Sequence, residues 1–350
     1  MTKEGALHGV RVLEISHAAG AVAGHILADL GAEVIKVEPP GGEAARLKEP
    51  KAEVKGGHIS YFWLAYNVGK KSIVIDLSSP AGLAEFVGLA ATADIVVTDF
   101  ERLTLEENDA VAAAARTRNP ALVWAEVWPY GRGKPHENYP GGELVAQATG
   151  GHLYLNGDED RAPVMIGVAT ATVQAGVEAA AGALSAYFHV LQTGQGQRID
   201  VSMQQCVVWT LLMQTMLAQM IDREYKRGGE VKRERANTYF TRLVWPCRDG
   251  HIYYAPIGGG GGSAREKSFA ALVAWMAESG VTDPILTARD WINTSPISQE
   301  QYDEVAKVIY DFLVTKTKKE LMDRALQNRI LLAPVNDIPE IMDNPQLRAR

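Results

Sequence analysis

Short apolar runs alternate with helically spaced apolar residues along the first 130 positions. The run at 11–15 predicts a strand, and the small residues after it lead into a helix that includes 23–30. Four more runs predict strands of the same kind: 33–38, 71–77, 94–100 and 121–127. Because strands alternate with helices, the pattern predicts an open, Rossmann-like parallel sheet covered by helices, an α/β fold.

The pattern changes near residue 141. Helices are predicted within 141–151 and over an alanine-rich stretch at 168–191, followed by a tight turn into a strand and a further helix to about Asp222. Charge and glycine at 223–235 indicate a linker. Beyond it we expect a strand–turn–strand with its turn at 248–250, helical segments at 264–279 and 301–327, and a short strand and turn at 334–342. We therefore expect a large α/β domain at 1–229 and a smaller α+β domain at 230–350.

Composition and charge argue against several classes of protein. The net charge of −7 over 350 residues argues against general nucleic-acid binding. The two cysteines, Cys206 and Cys247, lack CxxC partners, so neither a disulfide framework nor a structural zinc site is expected, and no metal-spaced cluster is visible. The N-terminus lacks a signal-peptide core, and the apolar stretch at 207–220 is too short and too interrupted to span a bilayer. We expect a cytoplasmic protein without metal, nucleic acid or membrane.

Residues near the predicted strand ends are candidates for ligand binding. Gly20 and Gly24 follow the first strand without GxGxxG spacing, so a nicotinamide dinucleotide is disfavoured. The free N–H groups at that helix start suit a phosphate or an amide, and tight packing by small residues explains them equally well. Three lysines near strand ends fit an anionic, nucleotide-like group or a solvated charged face: Lys36, Lys70 and Lys71.

Two further features have a functional and a structural interpretation. His17, at the end of the first strand, is either a ligand contact or a structural residue. Five consecutive glycines are typical of a backbone that must move or approach a ligand closely, or of a plain linker. They are Gly258, Gly259, Gly260, Gly261 and Gly262. Because strand-like and helical segments bracket these glycines, we favour a functional flap.

Six ordered segments resemble the CaiB/BaiF, or class III CoA-transferase, family. The segments are GVRVLEISHAAG, LADLGAEVIKVEPPGG, YFWLAYNVGKKSIVIDLSSPAG, ADIVVTDF, ELVAQATGG and TGQGQRIDVSM. The resemblance covers nearly the whole chain and is densest over 9–205. It implies an α/β large domain and a small domain, with two chains interlocked like links of a ring.

The resemblance also implies where coenzyme A, carried as an acyl-CoA thioester, lies. CoA would run along the large domain, with its thioester near the dimer interface. The positions that match family motifs around CoA are His17, Ala18, Lys36, Lys70, Lys71, Ile75, Asp76, Asp99 and Phe100. The five glycines at 258–262 resemble the mobile glycine loop that covers the thioester in some members. A C-terminal return segment, which here would lie beyond Arg350, normally completes the large domain.

The same resemblance points to a missing nucleophile. In such transferases an aspartate attacks the donor thioester, giving a mixed anhydride and then an enzyme–CoA thioester. That aspartate lies in a GVxxADxxxG stretch, which here reads GVATATVQAG; Gly167 and Gly176 fix the alignment and place Thr172 at the nucleophile position. Racemases of the family add a histidine whose position is Gly142 here, so racemase activity is disfavoured. Glu143 matches a carboxylate of some transferases, as a supporting acid or a helix cap.

Three functional hypotheses follow from the missing aspartate. The first is a non-nucleophilic subunit of a heteromeric enzyme that moves CoA from a donor such as succinyl-CoA to a carboxylic acid. Its partner would be a homologous chain that bears the aspartate, as in transferases for aromatic succinates such as benzylsuccinate. The second is a self-sufficient transferase that uses Glu143 or substrate assistance. The third is an acyl-CoA-binding regulator without turnover.

Overall fold

A computed structural model describes residues 5–133, 135–212, 214–221, 226–233, 239–257, 262–292 and 297–349. The chain divides into two compact units. The large unit comprises the described residues of 1–156 and 163–225, and the small unit those of 157–162 and 226–350. Our boundary at 229/230 stays a prediction, and the contacts add the short segment 157–162 to the small unit.

The large unit is an α/β layer. Its elements are β1 (Arg11–Ile15), α1 (Ala19–Asp29), β2 (Glu33–Glu38), β3 (Lys51–Val54), β4 (Gly57–Ser60), α2 (Tyr61–Asn67), β5 (Lys71–Val74), α3 (Pro80–Ala90), β6 (Ile95–Asp99), α4 (Leu105–Arg118), β7 (Val123–Trp128), α5 (Glu143–Thr149), α6 (His152–Leu155), α7 (Thr170–Thr193), β8 (Arg198–Ser202), α8 (Met203–Thr210) and α9 (Gln214–Ile221). Six parallel strands form one sheet in the order β5-β2-β1-β6-β7-β8. This confirms the predicted open α/β fold and its strands.

Both faces of this sheet are covered, which explains the continuous apolar runs of its strands. On one face, β1, β6 and β7 pack under α1 and α7, where the alanines of α7 permit close helix contact. On the other face, a second apolar cluster lies beneath α3 and α4. The sequence patterns missed the antiparallel β3–β4 hairpin, α2 and α4.

The small unit is α+β. Its elements are β9 (Val231–Arg233), β10 (Phe240–Arg242), β11 (Val244–Cys247), β12 (Gly250–Tyr254), α10 (Gly262–Glu278), α11 (Gln299–Leu313), α12 (Lys318–Asn328), β13 (Leu332–Val335), α13 (Ile338–Met342) and α14 (Pro345–Arg348). The strands β11, β12 and β13 form an antiparallel sheet, and β9 pairs with β10. This unit has an apolar core of its own.

Three local predictions in this part of the chain need correction. The segment 301–327 is two helices, because Thr317 caps α12 in a box with Glu320. The stretch 334–342 ends in the short helix α13 rather than a turn. The predicted linker at 223–235 contains strand β9, and its residues 223–225 and 234–235 lie outside the described part. Across the described ranges, no helix combines the length and the apolar character needed to traverse a bilayer.

Candidate functional site

The carboxyl ends of β2, β1 and β6 lie side by side at one edge of the sheet. Asp99, the last residue of β6, directs Oδ2 at the loop after β1. This oxygen accepts N–H hydrogen bonds from His17 at 2.9 Å, Ala18 at 3.1 Å and Gly20 at 3.3 Å. Helix α1 has no side-chain cap from its own N-cap residue, Ala18. Asp99 therefore supplies the cap of α1 from a neighbouring strand, and it is 1% exposed.

A buried charge cluster, formed by Glu14, Lys36, Glu43 and Lys70, lies beside this cap. Lys36 Nζ is 2.6 Å from Glu14 Oε1, 2.8 Å from the Ser16 carbonyl oxygen and 3.2 Å from Glu43 Oε2. Burial lowers the pKa of Lys36, but Glu14 and Glu43 raise it more, so it stands above its ordinary value. Lys36 therefore stays charged; it donates to Glu14 and to the Ser16 carbonyl oxygen, and it is ion-paired with Glu43.

Lys70 belongs to the same cluster, but burial lowers its pKa below the ordinary value, although Glu14 opposes the shift. Its Nζ lies 2.6 Å from Glu14 Oε2, 2.7 Å from the Ala21 carbonyl oxygen and 3.1 Å from Asn67 Oδ1. Each of the two lysines donates two hydrogen bonds within the chain, and its third close contact is an ion pair, of Lys36 with Glu43 and of Lys70 with Glu14. Both lysines therefore have structural partners inside the chain, and their contact with an anionic group stays a prediction. Lys71 differs, because its side chain is 69% exposed and pairs with Glu33 at 2.6 Å.

His17 is the member of the sheet edge that reaches the surface. Its Nδ1 lies 2.6 Å from Glu43 Oε1, and its side chain is 22% exposed. The hydrogen bond with Glu43 raises the pKa of His17 above its ordinary value, although burial opposes the shift. Glu43 itself is held by Lys36 and by Arg102, whose Nη1 is 3.4 Å away. Glu43 thus fixes the orientation of the imidazole through Nδ1, and the partly exposed ring is suited to contact a ligand.

The other predicted contact residues of the large unit are placed separately. Ile75 is buried in the core beneath α3, whereas Asp76 is exposed and accepts from the Ser78 backbone N–H at 3.1 Å. Phe100 packs against the apolar cluster of α1 and α7. The contribution of these three positions to a CoA site stays a prediction.

The predicted glycine loop is described only at its end. Gly262 begins α10, so the helix predicted from 264 starts two residues earlier and includes the last glycine. Four of the five glycines lie outside the described residues: Gly258, Gly259, Gly260 and Gly261. The functional flap at these positions therefore stays a prediction.

The nucleophile position lies at the N-terminus of α7. The Thr172 backbone N–H and hydroxyl donate to Glu143 Oε2 at 2.8 Å and 2.7 Å. The Ala171 N–H and Gln147 Nε2 donate to Glu143 Oε1 at 3.0 Å and 2.6 Å. Glu143 is therefore a helix cap, but of α7 rather than of the helix α5 that it begins. The N-terminus of α7 and its dipole favour this anion.

These hydrogen bonds decide the protonation state of Glu143. Burial raises the pKa of Glu143, but the hydrogen bonds from Gln147, Thr172 and Ala171 lower it more. Its pKa therefore lies below the ordinary value, and the side chain is a carboxylate at neutral pH. An ionised carboxylate that accepts four hydrogen bonds has no proton to give, so these contacts favour the helix-cap interpretation, and the supporting acid stays a prediction.

A Glu143→Ala variant should lose about 1–2 kcal/mol of unfolding free energy at pH 7, because the first turn of α7 loses its cap. The folded pKa is depressed, so this contribution is present above the ordinary value of 4.5 and is lost as the pH falls through the folded pKa. Urea unfolding at pH 7 and at successively lower pH measures it. The exposed Glu178→Ala on α7 is the control. An equal effect of the two variants would contradict the capping role.

Helix packing brings this N-terminus towards the sheet edge. Gly176 lies one turn after Thr172, and a Cβ built there would stand 2.6 Å from the Ala19 carbonyl oxygen in the first turn of α1. Only glycine permits this approach of the two helices. The Thr172–Glu143 pair and the loop that carries His17 therefore lie near the starts of two helices in contact.

Two polar residues near Thr172 were missed by the sequence patterns. Gln147 joins Glu143 to Thr170 Oγ1, at 3.4 Å, and accepts the Ile166 N–H at 3.2 Å. His152, in α6, contacts Thr210 Oγ1 through Nε2. Gln147 lies one turn after Glu143, a spacing that could have indicated the pair, whereas nothing in the sequence joins His152 to Thr210. Where the chain is described, no group of three or more His, Cys, Asp or Glu has an arrangement that would hold a metal ion.

Comparison with known proteins identifies the family. The model of CoA-transferase family III matches residues 7–350. A succinate–glutarate CoA-transferase of Agrobacterium fabrum is 30% identical over 349 residues, which cover 98% of this chain and 83% of that enzyme. The succinyl-CoA:(R)-benzylsuccinate CoA-transferase subunit BbsE of Thauera aromatica is 30% identical over 343 residues, covering 97% and 81% of the two chains.

A solved structure supports the fold. The crystal structure of a CaiB/BaiF family protein from Brucella suis superposes with a TM-score of 0.81 at 24% identity, covering 99% of this chain and 88% of that one. CoA-transferases use CoA thioesters as substrates, as the resemblance in the sequence implied. The chain belongs to CoA-transferase family III, the CaiB/BaiF family.

Proposed function

We propose that this chain is the non-nucleophilic subunit of a heteromeric class III CoA-transferase. It would interlock with a homologous chain that supplies the aspartate. The observation that carries the proposal is the contact at the nucleophile position, where the Thr172 hydroxyl donates to the Glu143 carboxylate at 2.7 Å. A mixed anhydride requires a carboxylate nucleophile, and Thr172 has only a hydroxyl, which is already hydrogen-bonded to Glu143.

Thr172 is also poorly placed to act as an activated alcohol. A general base is effective when its pKa lies near the working pH, and the pKa of Glu143 lies below its ordinary value. Glu143 therefore has little tendency to take the hydroxyl proton. The contact between Thr172 and Glu143 therefore fits a helix cap better than it fits a nucleophile with its general base.

The same contacts weigh against Glu143 as a replacement nucleophile. Both of its oxygens accept two hydrogen bonds each, from Ala171, Gln147 and Thr172. These donors stabilise the anion, and attack on a thioester would break them. The self-sufficient transferase is for this reason our second hypothesis and not the first.

The proposed substrates come from the relatives. Succinyl-CoA is named as the donor of the Thauera enzyme, and that protein is described as a subunit. We propose succinyl-CoA as the donor here and an aromatic succinate as the acceptor. CoA would lie along the sheet edge with His17 and the Ala18 loop, and the glycines at 258–262 would cover the thioester.

The test is CoA transfer by the chain alone and with the homologous chain that co-purifies with it. With succinyl-CoA and benzylsuccinate, we expect transfer only in the mixed preparation, because the aspartate is then present. The partner's sequence provides a check, since it should carry aspartate in its GVxxADxxxG stretch. Transfer by the pure chain would support the self-sufficient enzyme, and tight acyl-CoA binding without transfer in both preparations would support the regulator.

A further inference from the structure

An apolar pocket of about 380 Å³ opens beside the nucleophile position. We call it the α7 pocket, and its lining consists of Tyr66, His152, Val168, Ala169, Thr170, Val173, Gln174, Val207 and Thr210. Thr170 and Val173 flank Thr172 in the first turn of α7, so the pocket begins where the reacting thioester is proposed to lie. An engineered cavity of ~150 Å³ holds a benzene ring, so this pocket has room for a phenyl or branched alkyl group and its chain.

The histidine in the lining is neutral. The Thr210 hydroxyl donates to the Val207 carbonyl oxygen at 2.7 Å, so we assign His152 the Nε2–H tautomer, in which Nε2–H donates to Thr210 Oγ1. His152 Nδ1 then carries a lone pair, and it is buried without a hydrogen bond in the described structure. Burial lowers the pKa of His152, in agreement with a neutral ring. The histidine therefore brings no positive charge.

The remaining lining also lacks a cation. Among the described residues around the α7 pocket there is no lysine or arginine. The nearest charge that the contacts connect to it is negative, because Thr170 is joined through Gln147 to the Glu143 carboxylate. A second carboxylate on the acyl group would lose part of its hydration here without gaining a cationic partner, which is costly.

We propose that the α7 pocket takes the apolar end of the acyl group and rejects a terminal carboxylate. It would thus favour acceptor acids, and their CoA thioesters, that end in a phenyl or branched alkyl group. The terminal carboxylate of succinyl-CoA, the proposed donor, would stay outside the pocket, so the donor would bind without its contribution. This inference rests on the proposed function, because it assumes that CoA brings the acyl group to the N-terminus of α7. It goes beyond that function by assigning the acceptor's apolar end to this chain.

The test compares 3-phenylpropanoyl-CoA with succinyl-CoA, which differ only in phenyl against carboxylate at the end of one acyl chain. Calorimetry on the full chain, with its partner subunit where one co-purifies, measures both affinities. We expect 3-phenylpropanoyl-CoA to bind at least about tenfold more tightly than succinyl-CoA, because its phenyl group is transferred from water into the apolar pocket. Equal affinities, or a preference for succinyl-CoA, would overturn the inference.

Two lysine substitutions on α7 sharpen the test. Val173 is 37% exposed and lines the pocket, so Val173→Lys puts a long, charged side chain at its wall and should lower the phenyl preference at least about tenfold. Val177→Lys, one turn further along at a position that is 42% exposed and outside the lining, should leave the preference unchanged. Circular dichroism checks that both variants fold. A preference unaffected by Val173→Lys, or changed equally by both, would overturn the inference.

Acetyl-CoA separates this inference from the proposed function. It has no apolar end, so its affinity reports CoA binding alone and should be equal in wild type and in both variants. If acetyl-CoA binds and the phenyl preference is missing, the inference fails while the proposed function stands. If none of the three thioesters binds, the proposed function fails, and the inference fails with it.

Discussion

Replacing Lys36 by methionine should destabilise the large unit by about 3–5 kcal/mol, the cost typical of removing one partner from a buried ion pair. Lys36 is 1% exposed and stands between Glu14 and Glu43, which are equally buried. Methionine fills similar space, but it leaves two carboxylates without their shared cation. Urea unfolding of the full chain measures the loss in unfolding free energy.

Lys71→Met is the matched control for this prediction. Both lysines match family motifs around CoA, yet Lys71 is 69% exposed and its partner Glu33 lies at the surface. Exposed pairs contribute little, so Lys71→Met should unfold like the wild type. If Lys36→Met were as stable as Lys71→Met but bound acyl-CoA less tightly, Lys36 would be a ligand contact and the structural role would be wrong.

The strands of the large unit could be predicted because both faces of the sheet are covered. Burial on two sides produces continuous apolar runs such as 95–97 and 121–125, and these stand out from their surroundings. Helix α4 was missed because its inner face is not purely apolar. Asn108 is buried there and bonds to Glu126 and Thr98, so the apolar spacing is broken.

The role of the buried lysines could not be predicted, because it depends on strand register. Glu14 and Lys36 are direct cross-strand neighbours of β1 and β2, and they are 22 residues apart in the sequence. Most lysines are exposed, and an exposed lysine at a strand end can bind an anion. The sequence therefore predicts a ligand contact for Lys36. Only the paired strands show that its charge is used internally.

The candidate site was predicted in part. Family motifs selected Thr172 and Glu143 separately, but their contact joins two residues that are 29 positions apart and lie on different helices. The local pattern suggested that Glu143 caps the helix it begins. Glu143 caps α7 instead, because the N–H groups of Ala171 and Thr172 at that helix start face its carboxylate. Such a cap depends on how α5 and α7 pack, which local spacing does not encode.

Thr172→Asp should restore a nucleophile and produce a covalent CoA adduct where the wild-type chain gives none. The substituted carboxylate would lie at the N-terminus of α7, where the helix dipole and backbone N–H groups stabilise the anion. It would attack the thioester of succinyl-CoA, releasing CoA thiolate and forming a mixed anhydride. The thiolate then attacks the anhydride at the aspartyl carbonyl, giving enzyme–CoA thioester and succinate. Mass spectrometry of the intact chain detects this product.

Peptide mapping makes the test specific to this chain, because a partner subunit would carry its adduct on its own sequence. The adduct should lie within the 167–176 stretch, and Thr172→Asn, which has the same shape without the charge, should give none. Glu143 stands 2.7 Å from the Thr172 hydroxyl, so repulsion between two carboxylates will oppose ionisation of the new one. The double variant with Glu143→Gln should therefore form the adduct faster. If Thr172→Asp binds acyl-CoA but forms no adduct with or without Glu143→Gln, the N-terminus of α7 does not face the thioester.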